Sequence, residues 1–195
     1  KFIQNYFSEM KKVIETISLE DINKVVELLF DAWKRGSQVF TCGNGGSAST
    51  ATHFACDLSK TTIVDGKKRF MAHCLNDNIP LVSALINDEG FDNLYYEQLR
   101  NFLREGDVLI CISVHGGAGR DKAQLWSQNL LKAMKYTKEK GGKTIGFSGF
   151  DGGPMKQIAD ACIVVPANST PQVESFHLTL EHLICSCLRQ KIEES

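Results

Sequence analysis

Apolar residues recur at three- and four-residue intervals over residues 2–17 (Phe2, Ile3, Tyr6, Phe7, Met10, Val13, Ile14 and Ile17), which predicts an amphipathic helix. Ser18, with Asp21 three positions on, reads as the cap of a second helix. That helix aligns Ile22, Val25, Val26, Leu29 and Trp33 on one face and ends at Gly36. Beyond it the pattern changes. Short apolar, β-branched runs at Val39–Thr41, Phe70–Leu75, Val108–Ser113, Lys143–Phe147 and Ala161–Pro166 predict five strands. Helical periodicity fills the gaps: Ser47 to about Leu58, Ile79–Ile86, Phe91–Leu103, Ser127–Lys140, 154–159, and Thr170 to about Ile192.

Strands that alternate with helices predict right-handed βαβ units and a parallel sheet covered on both faces. The expected fold is therefore α/β, a three-layer αβα sandwich with a five-stranded parallel sheet. Residues 1–195 are read as a single domain, with helices over 1–36 preceding a core over 37–195. Two apolar helices before the first strand are more than one sheet layer needs, so they are expected to meet a partner subunit. Ligands of such sheets bind at the carboxyl ends of the strands, which selects the loops 43–47, 113–127, 148–153 and 167–174.

Composition narrows the partners. A formal net charge of −1 with no basic stripe argues against a nucleic-acid footprint. No apolar run approaches the length of a membrane span and no signal peptide is visible, so a cytoplasmic protein without a membrane partner is expected. The seven cysteines form no C-x-x-C pair and fall mostly in apolar elements, which fits reduced thiols.

The stretch from Val39 to Leu58 carries the chemistry. A strand breaks into Gly43-Asn44-Gly45-Gly46 and resumes as a helix at Ser47. A helix start with free N–H groups, no β-carbons in the way and a hydroxyl in its first turn suits a phosphate. His53 and Asp57 follow on one face of the same helix. The loose Gly-x-Gly-x-x-Ala fit does not make this a dinucleotide site, because no acidic residue stands at the end of the next strand at the required spacing. There is no Gly-Lys-Ser/Thr either, so no nucleotide cofactor is expected. His177 is expected in the core or at a subunit contact, and His73 is structural.

Three of the four loops resemble the sugar isomerase (SIS) family. Cys42-Gly-Asn-Gly-Gly-Ser-Ala48 followed by His53-Phe-Ala is similar to the first phosphate loop of its phosphoheptose isomerase branch. Ile112-Ser113 resembles the start of the second loop, and Ser127-Gln-Asn-Leu-Leu-Lys-Ala133 its end. The helix bearing Val173-Glu-Ser-Phe-His177 and His182 is similar to the branch's last helix. The resemblance implies a homotetramer and ketose–aldose isomerisation of a phosphosugar, of the kind performed on sedoheptulose 7-phosphate. It also implies a Zn²⁺ ion. The same family fold serves elsewhere as a non-catalytic phosphosugar sensor or assembly adaptor. Carried over position by position, substrate and phosphate contacts fall on Asn44, Gly45, Gly46, Ser47, Asp88, Ser113, His115 and Ser127. Metal ligands fall on His53, Asp57, Glu174 and His182, with Asp57, Glu174 and His182 also catalytic. The chain departs from the branch in having Asp57 for Glu, Glu174 for Gln, His115 for Ser, and an extra segment at about Ala118–Trp126. That segment is expected to act as a flap over the phosphate site.

Overall fold

The computed structural model describes residues 1–117 and 127–195; the expected flap over 118–126 lies outside the described residues. Helices α1 (Phe2–Thr16) and α2 (Leu19–Arg35) lead into strand β1 (Gln38–Gly43) and helix α3 (Gly46–Lys60). Next come β2 (Met71–Cys74), α4 (Ile79–Glu89), a single 3₁₀ turn at Phe91–Asn93, and α5 (Leu94–Phe102). The chain continues through β3 (Val108–Ile112), α6 (Gln128–Glu139), β4 (Lys143–Gly149), α7 (Gly153–Ile158), β5 (Ala161–Val165) and α8 (Thr170–Glu193). The five strands pair in the order β2-β1-β3-β4-β5, all parallel.

Both faces of the sheet are covered, which is why its central strands read as apolar runs and not as alternations. Val39, Val108, Ile110 and Ile112 point into one core with residues of α2, α3 and α8. Phe40, Cys42, Leu109 and Cys111 point the other way, against α5, α6 and α7. The helix ends follow their caps. The Ser18 hydroxyl accepts from Asp21 N–H at 3.1 Å, and Gly36 closes α2 in the left-handed conformation. The break expected at Asn87–Gly90 comes at its last residue alone. Asn78 caps α4, and the helix runs through Asn87 and Asp88 until Gly90, at φ 83°, ends it.

Helix α1 buries only Val13 completely, while Phe2, Ile3, Phe7 and Ile14 are 65–81% exposed. Its apolar stripe thus extends beyond what the chain's own core covers. Among the described residues no helix is long and apolar enough to cross a membrane. All seven cysteines are free.

From β1 the chain moves outward to β2, then returns to place β3 on the other side of β1. The connections after β1 and β3 therefore diverge and leave a crevice at the carboxyl ends of two central strands. The glycine turn and Ser113 border that crevice.

Candidate active site

Strand β1 ends at Gly43 because a side chain there has no room: a β-carbon would lie 2.4 Å from the Ser47 carbonyl oxygen. Gly45 then takes φ 57°, a left-handed value that suits glycine, and α3 begins at Gly46 without a side-chain cap. A polar network fixes the turn from beneath. Asn44 and Asn129 exchange a reciprocal pair of amide hydrogen bonds, each 3.0 Å, and Asn44 Nδ2 also reaches Ser127 Oγ at 3.3 Å. Tyr95 is 1% exposed, and its hydroxyl lies within bonding distance of the Gly43 carbonyl and Asn44 Oδ1. Asn76 Nδ2 donates to that hydroxyl at 2.9 Å and to the Gly43 carbonyl at 3.0 Å. Burial pushes the Tyr95 hydroxyl well above its ordinary pKa, so it stays a proton donor.

Above this network lies a cavity of about 140 Å³ lined by Asn44, Ser47, Ile112, Ser113, Val114, His115, Ser127 and Glu174. The three serines named by the sequence therefore meet around one space. Ser47 is 3% exposed in the first turn of α3. Ser113 follows β3 and accepts from Gly117 N–H at 3.3 Å. Ser127, left-handed at φ 53°, starts α6. His115 lies against Phe150, with ring centroids 4.3 Å apart. Glu174 reaches in from α8, and the place of a β-carbon on Gly46 lies 2.5 Å from its Oε1. Gly46 thus leaves room for a carboxylate. Asp88 belongs to neither this cavity nor the cluster described next; it is exposed on the last turn of α4 and accepts from Asn87 Nδ2 at 2.6 Å.

Two turns further along α3 a second group forms. His53 and Asp57 on α3 face Glu181 and His182 on α8, with one ligand atom from each lying within 4.8 Å of all the others. The two imidazole Nε2 atoms are 3.3 Å apart. His182 Nε2 is 3.4 Å from Glu181 Oε1 and 3.7 Å from Asp57 Oδ2. His53 Nε2 is 3.7 Å from Glu181 Oε1 and 3.8 Å from Asp57 Oδ1. The fourth member is thus Glu181, whereas the resemblance had pointed to Glu174. The reason is the pitch of α8: seven residues separate the two glutamates on nearly one face, so they reach α3 two turns apart. The helices run in step, Gly46 meeting Glu174 and His53 meeting Glu181.

Glu181 is fully buried and neither carboxylate oxygen has a hydrogen-bond partner. Burial, and then the nearby charge of Asp57, push its carboxyl up to about 8. A charged side chain in that position is costly unless something positive faces it. The set answers the description of a cation site. Tetrahedral Zn²⁺ with bonds of roughly 2.0–2.1 Å places its donors about 3.3–3.4 Å apart, close to the shorter separations found between these four. Glu181, Tyr95 and Asn76 carry no motif, and Asn129 stood within the stretch Ser127–Ala133 without a role of its own. A charge flanked by Leu180, Leu183 and Ile184 was the one sequence signal for Glu181. His177, as expected, is a core residue: it is 1% exposed and its Nε2 lies 3.1 Å from the Ser148 carbonyl.

Residues 2–149 match the SIS domain family. The chain is 39% identical over 187 residues to the lincomycin biosynthesis protein LmbN of Streptomyces lincolnensis, an alignment spanning 94% of this chain and 67% of that protein. It is 34% identical over 181 residues to the phosphoheptose isomerase of Aliarcobacter butzleri, spanning 93% and 90%. Its fold is similar to the solved phosphoheptose isomerase GmhA of Neisseria gonorrhoeae, with a TM-score of 0.83 and 29% identity over 95% of this chain and 96% of that one. With the matched span covering the glycine turn, α3 and β3, the chain belongs to the SIS domain family.

Proposed function

We propose that this protein is an aldose–ketose isomerase of a sugar phosphate, of the sedoheptulose 7-phosphate isomerase type. One observation carries the proposal: a serine-lined cavity and a histidine–carboxylate cluster lie along the same two helices, α3 supplying Ser47 and α8 Glu174 to the first, and both helices together supplying the second. From Ser47 to His53 the axis of α3 rises about 9 Å, comparable to the reach of an extended sugar chain from its phosphate to its carbonyl. The relatives named phosphoheptose isomerase support the same substrate class.

In this reading Ser47, Ser113 and Ser127 donate hydroxyl hydrogen bonds to the phosphate, and the N–H groups at the start of α3 add theirs. Asn44, held by Asn129 and Tyr95, keeps the turn in shape. The carbonyl end of the sugar then meets the cluster. Asp57, whose side chain is 14% exposed, is the group that takes the proton from the carbon next to the carbonyl. His182, with a side chain 48% exposed, hands a proton to the substrate oxygen. His53 and Glu181, with Asp57 and His182 as further ligands when no substrate is bound, would hold a divalent cation, Zn²⁺ by the chemistry of their donors. When bound, such an ion supplies Lewis-acid polarisation of the carbonyl. The uncovered apolar stripe of α1 supports a homo-oligomer, a tetramer by family resemblance. Seven free thiols suit a reducing, cytoplasmic setting.

The test is to incubate the protein with sedoheptulose 7-phosphate and follow the appearance of the aldoheptose 7-phosphate. The dephosphorylated ketose should react far more slowly. Equal turnover of the two, or none of either with metal supplied, overturns the proposal.

A further inference from the structure

The polar network beneath the glycine turn runs in one direction, and two backbone N–H groups set it. An N–H can only donate, so each one identifies the oxygen of the side-chain amide it meets. Leu130 N–H lies 2.9 Å from Asn129 Oδ1, which fixes that amide. The same oxygen stands 3.0 Å from Asn44, so the Asn44 atom facing it is the donor, Nδ2. Asn44 Nδ2 has a second hydrogen, and Ser127 Oγ, 3.3 Å away, accepts it. At the far end Gly43 N–H meets Asn76 Oδ1 at 3.3 Å, so Asn76 Nδ2 is the atom that donates to the Tyr95 hydroxyl at 2.9 Å. A hydroxyl accepting there turns its own proton toward the Gly43 carbonyl and Asn44 Oδ1. Both ends therefore require the same orientation of Asn44.

The consequence falls on Ser127. A serine hydroxyl has one proton to give. With its oxygen accepting from Asn44, Ser127 keeps that proton for the cavity it lines. A reversed Asn44 amide would claim the proton with its own oxygen, and the hydroxyl would present a lone pair to an incoming anion. We infer that Asn129 is a positioning residue for phosphate binding: anchored by Leu130 N–H, it holds Asn44 in the one orientation that makes Ser127 a donor into the cavity. Asn129 is completely buried on α6 and acts through Asn44, to which it also donates from Nδ2 at 3.0 Å. Ser113 is turned the same way by a different group, the Gly117 N–H at 3.3 Å, so it stands outside this chain of bonds. The inference rests on the cavity being the phosphate site and explains how one of its donors is set.

The test is a pair of double-mutant cycles, read by calorimetric titration of the protein with inorganic phosphate and with sedoheptulose 7-phosphate. Asn129→Ala should weaken both ligands about tenfold in the wild type, the order expected when a hydrogen bond to a charged group is lost. It should do the same in Ser113→Ala. In Ser127→Ala, where no hydroxyl is left to orient, it should cost less than about twofold. A residue that only maintains the fold would weaken binding in both serine backgrounds alike. Tyr95→Phe keeps the ring and removes the other group that selects the Asn44 orientation. It should repeat the pattern with a loss of about threefold, so the result does not depend on Asn129→Ala folding. Full affinity of Asn129→Ala and Tyr95→Phe, or equal losses in the two serine backgrounds, overturns the inference and leaves the phosphate reading intact. Failure of the wild type to bind either ligand, or undiminished affinity of both Ser113→Ala and Ser127→Ala, overturns that reading and the inference with it.

Discussion

Replacing Glu181 by Gln should make the metal-free protein more stable, although the residue is buried in the centre of the proposed site. The carboxyl of Glu181 is pushed up to about 8 by burial and by Asp57, against an ordinary value of 4.5. A folded-state value above the unfolded one means that the folded chain holds the proton more tightly. The group's contribution is therefore complete below about pH 4.5 and is lost progressively as pH rises to about 8. At 1.36 kcal/mol per unit, the whole span is worth about 5 kcal/mol, and roughly 3 kcal/mol of it is gone by pH 7. Gln has the shape of the protonated acid and no such dependence. Urea unfolding in chelator should thus find Glu181→Gln more stable than wild type by a few kcal/mol at pH 8 and no more stable at pH 5. Added Zn²⁺ should reverse the ranking at pH 8. It binds the wild type by displacing the Glu181 proton, whereas the amide offers a weaker ligand. A variant that is less stable than wild type in chelator at pH 8, or that gains as much from Zn²⁺, would refute the argument.

Ser47→Ala should weaken phosphosugar binding by about 1–3 kcal/mol, the cost of removing a hydrogen bond to a charged group; titration calorimetry reads it, and unchanged affinity counts against the cavity as the phosphate site. Burial holds His177 down to about 4, so the neutral ring is the stable folded form. Its contribution to stability is present above about pH 6.5 and lost as pH falls through 4, about 3 kcal/mol in all. The stability difference between wild type and His177→Gln should shrink over that range in denaturant titrations, and parallel curves would exclude the effect. Removing residues 1–17 should lower the assembly state seen by sedimentation, because α1 carries Phe2, Ile3, Phe7 and Ile14 exposed; an unchanged sedimentation coefficient beyond the lost mass would assign the stripe elsewhere.

The sequence made the layers and the first loop readable because both depend on local period and turn chemistry. Val108 to Ile112 reads as a run with no polar partner because each face of the strand has its own core. The convergence of Ser47, Ser113 and Ser127 was also legible, since strand ends in a parallel sheet share one edge. The choice between Glu174 and Glu181 was not. Both lie on one face of α8, and only the placement of α3 across that face decides which joins the histidines. Nor could Tyr95 and Asn76 be found. Each acts on Gly43 through a fold contact, 52 and 33 residues away in the chain.

The step between α3 and α8 constrains how such an enzyme can change. Gly46 with Glu174 and His53 with Glu181 are two rungs, each seven residues from the other on its own helix. One residue inserted between the rungs of either helix would swing the downstream side chain about 100° around the axis and break the cluster. The spacing between the serine-lined cavity and the histidine–carboxylate cluster is thus quantised: it can jump by two turns in both helices together but cannot drift. A lineage adapting this scaffold to a shorter or longer sugar must therefore alter the loops at the sheet edge, where length varies without rotating anything. The helices remain a fixed gauge, and diversity of substrate is pushed into the connections after β1 and β3.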